Sequence, residues 1–168
     1  MGRWSKPRSP WKPSGPTRRI GEKKGTKRSL LVDANGIPLS LVVSGAQRHD
    51  VALLEPTLDR IVVERPTPGP GAPQRLCGDK GYTGQPADAA VRARGYVPHI
   101  PQRGADVRAT RPPPQARPRR WVVERTHSWL NRYRKLLVRF EKTTAGYEGL
   151  LELACALITY RQVITIHG

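Results

Sequence analysis

Apolar positions fall into blocks along this chain, and each block has its own period. SLLVD, the turn ANG and IPLSLVV read as two strands joined through Asn35-Gly36, a dipeptide suited to a tight hairpin turn. Next comes VALLEPTLDRI, with Leu53, Leu54, Leu58 and Ile61 on one helical face and Asp50 placed to cap the N-terminus. A loop rich in Pro and Gly, ERPTPGPGAPQ, leads to RLCGD, a short strand ending at Asp79. Residues 84–94 predict a helix stopped at Gly95, and YVPHIP predicts a strand whose Pro98 and Pro101 mark a sheet edge. Residues 103–120 are rich in Pro and Arg and predict a loop that orders on binding. RRWVVERTHSWLNRYRKLLVRF, residues 119–140, has no Pro or Gly and follows Pro118, so it predicts one helix. Its Val122, Trp129, Tyr133, Leu136 and Phe140 form the face for the core. GYEGLLELACALITYRQV predicts a last, strongly buried helix through Tyr147, Leu150, Leu151, Ala154, Leu157 and Ile158. The order strand, strand, helix, strand, helix, strand, helix, helix makes the fold α/β with a mixed sheet.

Charge changes the picture more than length does. The 168 residues suffice for one domain with a real core, but their formal net charge is +17. Such an excess favours a polyanionic partner, because each Lys or Arg that neutralises a phosphate releases a condensed counterion. The charges spread over loops and two faces rather than along one amphipathic helix, which favours nucleic acid over a membrane surface. Residues 1–27 consist largely of Pro, Gly, Ser, Lys and Arg with Trp4 and Trp11, and predict a flexible basic arm ahead of a domain at 28–166. Cys77 and Cys155 lie in apolar runs and read as buried thiols of a reducing compartment, not as a disulfide framework. No stretch reads as a membrane span or a signal core, so the expected location is the cytoplasm.

Against that basic background the acids stand out. Glu124 is the only acid between Asp106 and Glu141, and Arg120, Glu124, His127 and Asn131 form a second stripe on the predicted helix. Glu124 reads either as a helix-surface ion pair with Arg120 or Arg125, or as a metal-binding carboxylate on a helix that faces nucleic acid. Asp79 ends a strand between Gly78 and Gly81, where backbone or phosphate can approach closely. Asp33 reads as a turn opener or as an outside candidate for a metal carboxylate, and His49 reads as structural or exposed rather than as a ligand.

Taken together, GTKRSLLVDANGIPLSLVVSGAQRHDVALLEPTLD, LCGDKGY, RRWVVERTHSWLNRYRKLLVRFEK and LELACALITYR resemble the C-terminal part of the DDE transposases of bacterial insertion sequences. The likeness is greatest to the group numbered as insertion sequence family five, and it covers roughly residues 15–163. The resemblance implies an RNase H-like fold that cuts and joins DNA strands with two divalent ions, Mg²⁺ or Mn²⁺. Residue by residue, it makes Asp79 the second catalytic and metal-binding aspartate and Glu124 the catalytic glutamate. Arg120 matches the signature arginine. A Lys or Arg is expected seven residues after the glutamate, where this chain has Asn131, with Arg132 and Arg134 as neighbouring substitutes. Arg120, Arg125, Asn131, Arg132 and Arg134 are thus the expected DNA-binding residues, with His127 as an accessory candidate. A homo-oligomer on DNA is implied as well.

The family's first aspartate belongs to a strand upstream of the region equivalent to Gly15, and this chain has no Asp before Asp33. The expected sheet therefore lacks its first, central strand. Either a segment encoded upstream supplies it, or the chain is a remnant that binds DNA and regulates the full enzyme without chemistry of its own.

Overall fold

The computed structural model describes residues 25–69, 71–101 and 120–167. The predicted basic arm, apart from its last residues, and the Pro- and Arg-rich loop lie outside them.

A hairpin comes first. Strands β1 (Thr26–Val32) and β2 (Pro38–Gly45) pair antiparallel, with a register shift between Leu31 and Val32. Asp33 closes the turn: its Oδ1 accepts from the backbone N–H of Asn35 at 2.8 Å and of Ile37 at 2.7 Å. Gly36 has φ 85°, a backbone region where a side chain is strained. A Cβ there would also lie 2.9 Å from Thr126 Oγ1, so the turn needs glycine for its docking as well as its shape.

Consecutive residues of β1 face opposite ways, and each face meets its own core. Helix α1 (Val51–Asp59) covers one side. There Leu54 and Leu58 join Leu76, Ala87 and Val91, with Leu31, Tyr82 and Tyr96 packed around them. On the other side Leu130, Leu136, Tyr147, Leu151, Ala154 and Ile158 cluster against Leu30, Leu41 and Val43. Between hairpin and α1 lie buried hydroxyls: Ser29 and Thr57 bond each other at 2.7 Å, and Ser40 donates to the Thr57 carbonyl. Asp50 does not cap α1 through its side chain. It forms an ion pair with Lys27 at 3.0 Å instead, because β1 brings that ammonium within reach.

After the loop come β3 (Arg75–Cys77), a 3-10 turn (Lys80–Tyr82), α2 (Gln85–Ala93) and β4 (Val97–His99). β4 returns parallel to β3, as a strand–helix–strand crossover requires. Arg94, at the end of α2, bonds both carboxylate oxygens of Asp59 at 2.7 and 2.9 Å and Glu55 at 3.2 Å, which ties α2 to α1. The expected single mixed sheet is not what forms among the described residues. An antiparallel pair and a parallel pair stand apart as two two-stranded sheets.

The predicted helix over residues 119–140 is broken. Helix α3 runs Arg120–Asn131, Tyr133 is extended (φ −80°, ψ 104°), and a short α4 covers Arg134–Leu137. The reason is burial. Leu130 and Leu136 are 0% and 2% exposed, yet six residues at 100° each set them about 120° apart on a continuous helix. The kink lets both reach one core, and it leaves Phe140, predicted to face that core, 67% exposed.

Helix α5 (Thr144–His167) buries Tyr147, Leu151, Ala154 and Ile158 along one face. Its opposite face is not buried as expected: Leu153, Leu157, Tyr160 and Ile164 are 39–64% exposed. Thr144–Ile166 is also long and apolar enough to cross a membrane by length and composition, which the strand-and-helix pattern did not bring out. The thiols differ from expectation too. Cys77 is exposed, because β3 turns only Leu76 inward, whereas Cys155 is half-buried and its pKa is pushed up to about 11, mainly by burial.

The two faces of α5 give a direct test of this packing. Leu151→Ala should lower unfolding free energy in urea by about 2–5 kcal/mol, the usual cost of a cavity at a filled site. Leu153→Ala, on the outer face, should stay within about 0.5 kcal/mol of the parent.

Candidate active-site cleft

A cavity of about 480 Å³ lies between the outer edge of β1, the C-terminal end of β3 and the side of α3. Asp33, Asp79, Glu124 and His127, all singled out in the sequence, line it. Four positions spread over about ninety residues thus share one cleft.

Asp79 sits where a strand becomes a tight turn. Its backbone is extended (φ −88°, ψ 171°), and its Oδ1 accepts the Gly81 N–H and so caps the 3-10 turn. The flanking glycines have steric reasons. A Cβ at Gly78 would lie 3.1 Å from Ile100, and one at Gly81 3.1 Å from Asp79 Oδ1 and 3.5 Å from Asp50 Oδ2. Asp50 therefore stands beside Asp79, a proximity that a reading of Asp50 as a helix cap missed. The phenol of Tyr82 reports both acids. Burial pushes its pKa up first, a hydrogen bond with Ser29 opposes, and the Asp50 and Asp79 charges push it further up.

Across the cleft, α3 is held by the hairpin turn. Thr126, fully buried, donates to the Gly36 carbonyl at 2.8 Å, and Arg125 donates to the Asn35 carbonyl at 2.5 Å. The Arg125 guanidinium lies 4.8 Å from the Trp121 ring centre and 4.9 Å from that of Trp129. Arg125, expected on DNA, thus anchors the helix to the turn. That anchoring fixes the rotation of α3 and sets Glu124, which is exposed, on the cleft that Asp79 also lines. His127, half-buried one turn further on, has its pKa lowered by burial and then by the Arg28 charge, so its ring is neutral at pH 7.

Asn131 stands where the resemblance calls for a basic residue, and the structure brings a cation to that place from elsewhere. Arg28 of β1 donates from Nη1 to Asn131 Oδ1 at 3.2 Å. No sequence pattern links residues 103 positions apart. Arg132 and Arg134 are exposed and meet no carboxylate among the described residues. Arg120 opens α3, and its side chain lies outside the described set. Asp33 lines the cleft but commits Oδ1 to its own turn, and His49 is exposed. Among the described residues, no three His, Cys, Asp or Glu side chains gather closely enough to hold a metal ion.

Comparison with known proteins bears on this site. A family model described as a transposase DDE domain matches residues 76–161, a span that includes both Asp79 and Glu124. A Burkholderia cepacia protein described as a transposase for insertion sequence element IS402 is 34% identical over 160 residues, covering 94% of this chain and 71% of that relative. No solved structure matches the chain. The cleft's strand-end aspartate and helix glutamate fall within the matched domain, and the identity extends over nearly the whole sequence. The chain belongs to the DDE transposases of insertion sequences.

Proposed function

We propose that the chain acts in DNA transposition as the C-terminal catalytic segment of a transposase that cuts and joins strands by phosphoryl transfer, with Asp79 and Glu124 as the acids that carry the chemistry. The observation that carries this reading is that both line one cleft in a chain of net charge +17. The chain's excess of Lys and Arg attracts the phosphate backbone, and the two acids give the cleft hard oxygen donors suited to Mg²⁺ or Mn²⁺. A divalent pair, when bound, would stabilise the attacking and leaving oxygens of an in-line displacement. With no third acid, His or Cys gathered among the described residues, the donor set is of the right kind but too small. What the chain itself supplies is positioning. Gly78 and Gly81 leave room at the Asp79 turn, Arg132 and Arg134 offer unpaired cations to phosphate, and His127 stays neutral.

The missing donor has a natural place. Among the described residues β1 pairs only with β2, and β3 only with β4, and residues of β1 and β3 line the cleft. An inserted strand would bond to both edges, join the two sheets into one RNase H-like sheet, and bring its own aspartate beside Asp79. An upstream-encoded segment is the partner this reading requires. A homo-oligomer on DNA finds its surface on the outer face of α5. Leu153, Leu157, Tyr160 and Ile164 recur there at steps of four and three, the spacing of a two-helix seam. The working place of such a protein is the cytoplasm, where its DNA lies and its two thiols stay reduced.

The lack of a complete donor set favours a second reading, in which the chain binds DNA without cutting it and regulates the full enzyme. Two measurements separate the readings. The purified chain should bind duplex DNA with little sequence preference, and its affinity should fall steeply with salt, by about 0.9 log unit per log unit of salt for each phosphate neutralised. Retention that hardly changes as salt rises several-fold would contradict both readings.

For chemistry, the assay is Mg²⁺- or Mn²⁺-dependent cleavage of element-end DNA, with and without the upstream segment. The chain alone should be nearly inactive and the mixture active, with Glu124→Gln or Asp79→Asn in the mixture costing roughly 10²–10⁴-fold, as loss of several kcal/mol of transition-state stabilisation implies. No cleavage in any mixture, with DNA binding intact, would leave the regulatory reading. Robust cleavage by the chain alone, lost in Glu124→Gln, would put the third acid inside the chain, with Asp33 and Asp50 next to be changed.

A further inference from the structure

A second cavity, of about 350 Å³, opens between the start of β1 and the turn from α4 to α5. Arg28, Arg139 and Tyr147 line it, and no carboxylate does. Both guanidiniums attend one aromatic ring: Arg28 lies 5.5 Å and Arg139 5.0 Å from the centre of Tyr147. Two like charges on one ring repel each other, and each is held only by neutral oxygens. Arg28 donates to the Tyr147 hydroxyl at 2.7 Å, to Asn131 Oδ1 and to the Leu136 carbonyl. Arg139 donates to Thr26 Oγ1 and, at 3.4 Å, to Thr144 Oγ1. Neither makes an ion pair among the described residues. Glu141, the nearest acid in sequence, turns toward Gly146 instead, where a Cβ would lie 3.2 Å from its Oε2.

This arrangement is pre-set for an anion. A guanidinium carries five N–H donors, and the bonds above use three on Arg28 and two on Arg139. The unused donors and the uncompensated charge fit a tetrahedral phosphate, whose oxygens accept from a planar fork. Leu137, which lines the cavity, is 61% exposed and offers apolar surface to a sugar or a base.

Position says which phosphate. Arg28 bonds Asn131, seven residues after Glu124 on α3, and seven residues of helix rise about 10 Å. That length along α3 is on the scale of a few nucleotides of a DNA strand, so the cavity and the Glu124 wall lie within reach of one strand.

We propose that the Arg28–Arg139 cavity is a phosphate seat that grips the DNA backbone a few nucleotides from the point of cutting and so sets the register of the strand in the cleft. The register rests on the catalytic reading of Asp79 and Glu124, whereas the seat itself is an anion site whatever the cleft does.

The test uses binding on an uncleavable background, so that failure of catalysis does not obscure it. In the full chain carrying Glu124→Gln, Arg139→Gln should weaken duplex binding several-fold, equally for unrelated sequences, and reduce the salt slope by about 1. Arg139→Lys should keep the slope, because the charge remains. Arg28→Gln removes a cation that also braces β1 against α5, so its reading counts only if thermal unfolding matches the parent. Arg139→Gln, on an exposed residue, keeps the question answerable if Arg28→Gln does not fold. The source of the phosphate is read from the arginine Nε–H NMR signals. A shift with inorganic phosphate alone supports a seat open to free phosphate, and a shift only with DNA supports a seat for the backbone. An unchanged salt slope in Arg139→Gln, or no shift with either ligand, overturns the proposal.

Discussion

The structure depends on a two-stranded hairpin being covered on both faces. Leu30 and Leu31 are neighbours in sequence, yet one joins the cluster with Tyr147 and Leu151 and the other the cluster with Leu54 and Leu76. A two-stranded ribbon alone is marginal in water, so each face must be covered if the hairpin is to persist. α1 covers one and α5 the other, and α3 closes over the turn through Thr126 and Arg125. Everything in the candidate site follows from that closure. Asp33 ends β1, Glu124 and His127 project from a helix pinned at Gly36, and Asp79 comes from the strand that the α1 side holds in place.

Charge sets the second constraint. With thirty Lys and Arg against thirteen acids, the chain has few carboxylates to spare, and several are engaged in holding elements together. Asp50 takes Lys27, Glu152 meets Arg60 at 3.8 Å, and Glu55 and Asp59 share Arg94. These pairs are substantially exposed and add little stability individually, but they fix which cations are quenched. Among the described residues Arg28, Arg132, Arg134 and Arg139 make no ion pair, and a polyanion bound near them relieves repulsion that the folded chain carries by itself.

Much of this was legible from the residues. The hairpin, α1, the α2 helix ending at Gly95 (φ 74°) and the strand ending at Asp79 follow from period and punctuation, because local geometry decides them. That Asp79 and Glu124 line one cleft was to be expected only from the family's motifs, since no local pattern joins them. What escaped the sequence was non-local. Residues 132–133 contain no helix breaker, and the break there comes from Leu130 and Leu136 competing for one core. Asp50 has the chemistry of a cap, but its carboxylate pairs with Lys27 at 3.0 Å and makes no cap hydrogen bond. The half-exposed character of α5 was hidden because apolar residues occupy both of its faces, and composition alone cannot say which one is covered.

Asn131 shows how a site can keep its charge while its sequence signature changes. A basic side chain at that point of α3 would have to reach the cavity from its own helix, at the cost of ordering a long side chain. In this chain a short amide takes the position and accepts a hydrogen bond from Arg28, whose stem is already fixed by Tyr147 and the Leu136 carbonyl. The cation therefore arrives pre-oriented, and its charge also depresses the basicity of His127 one helical turn away. An amide that holds an arginine delivers the same sign of charge to the same place as an arginine would. The difference is that the charge now belongs to β1, so whatever pairs with the free edge of β1 acts on the cation as well as on the cleft.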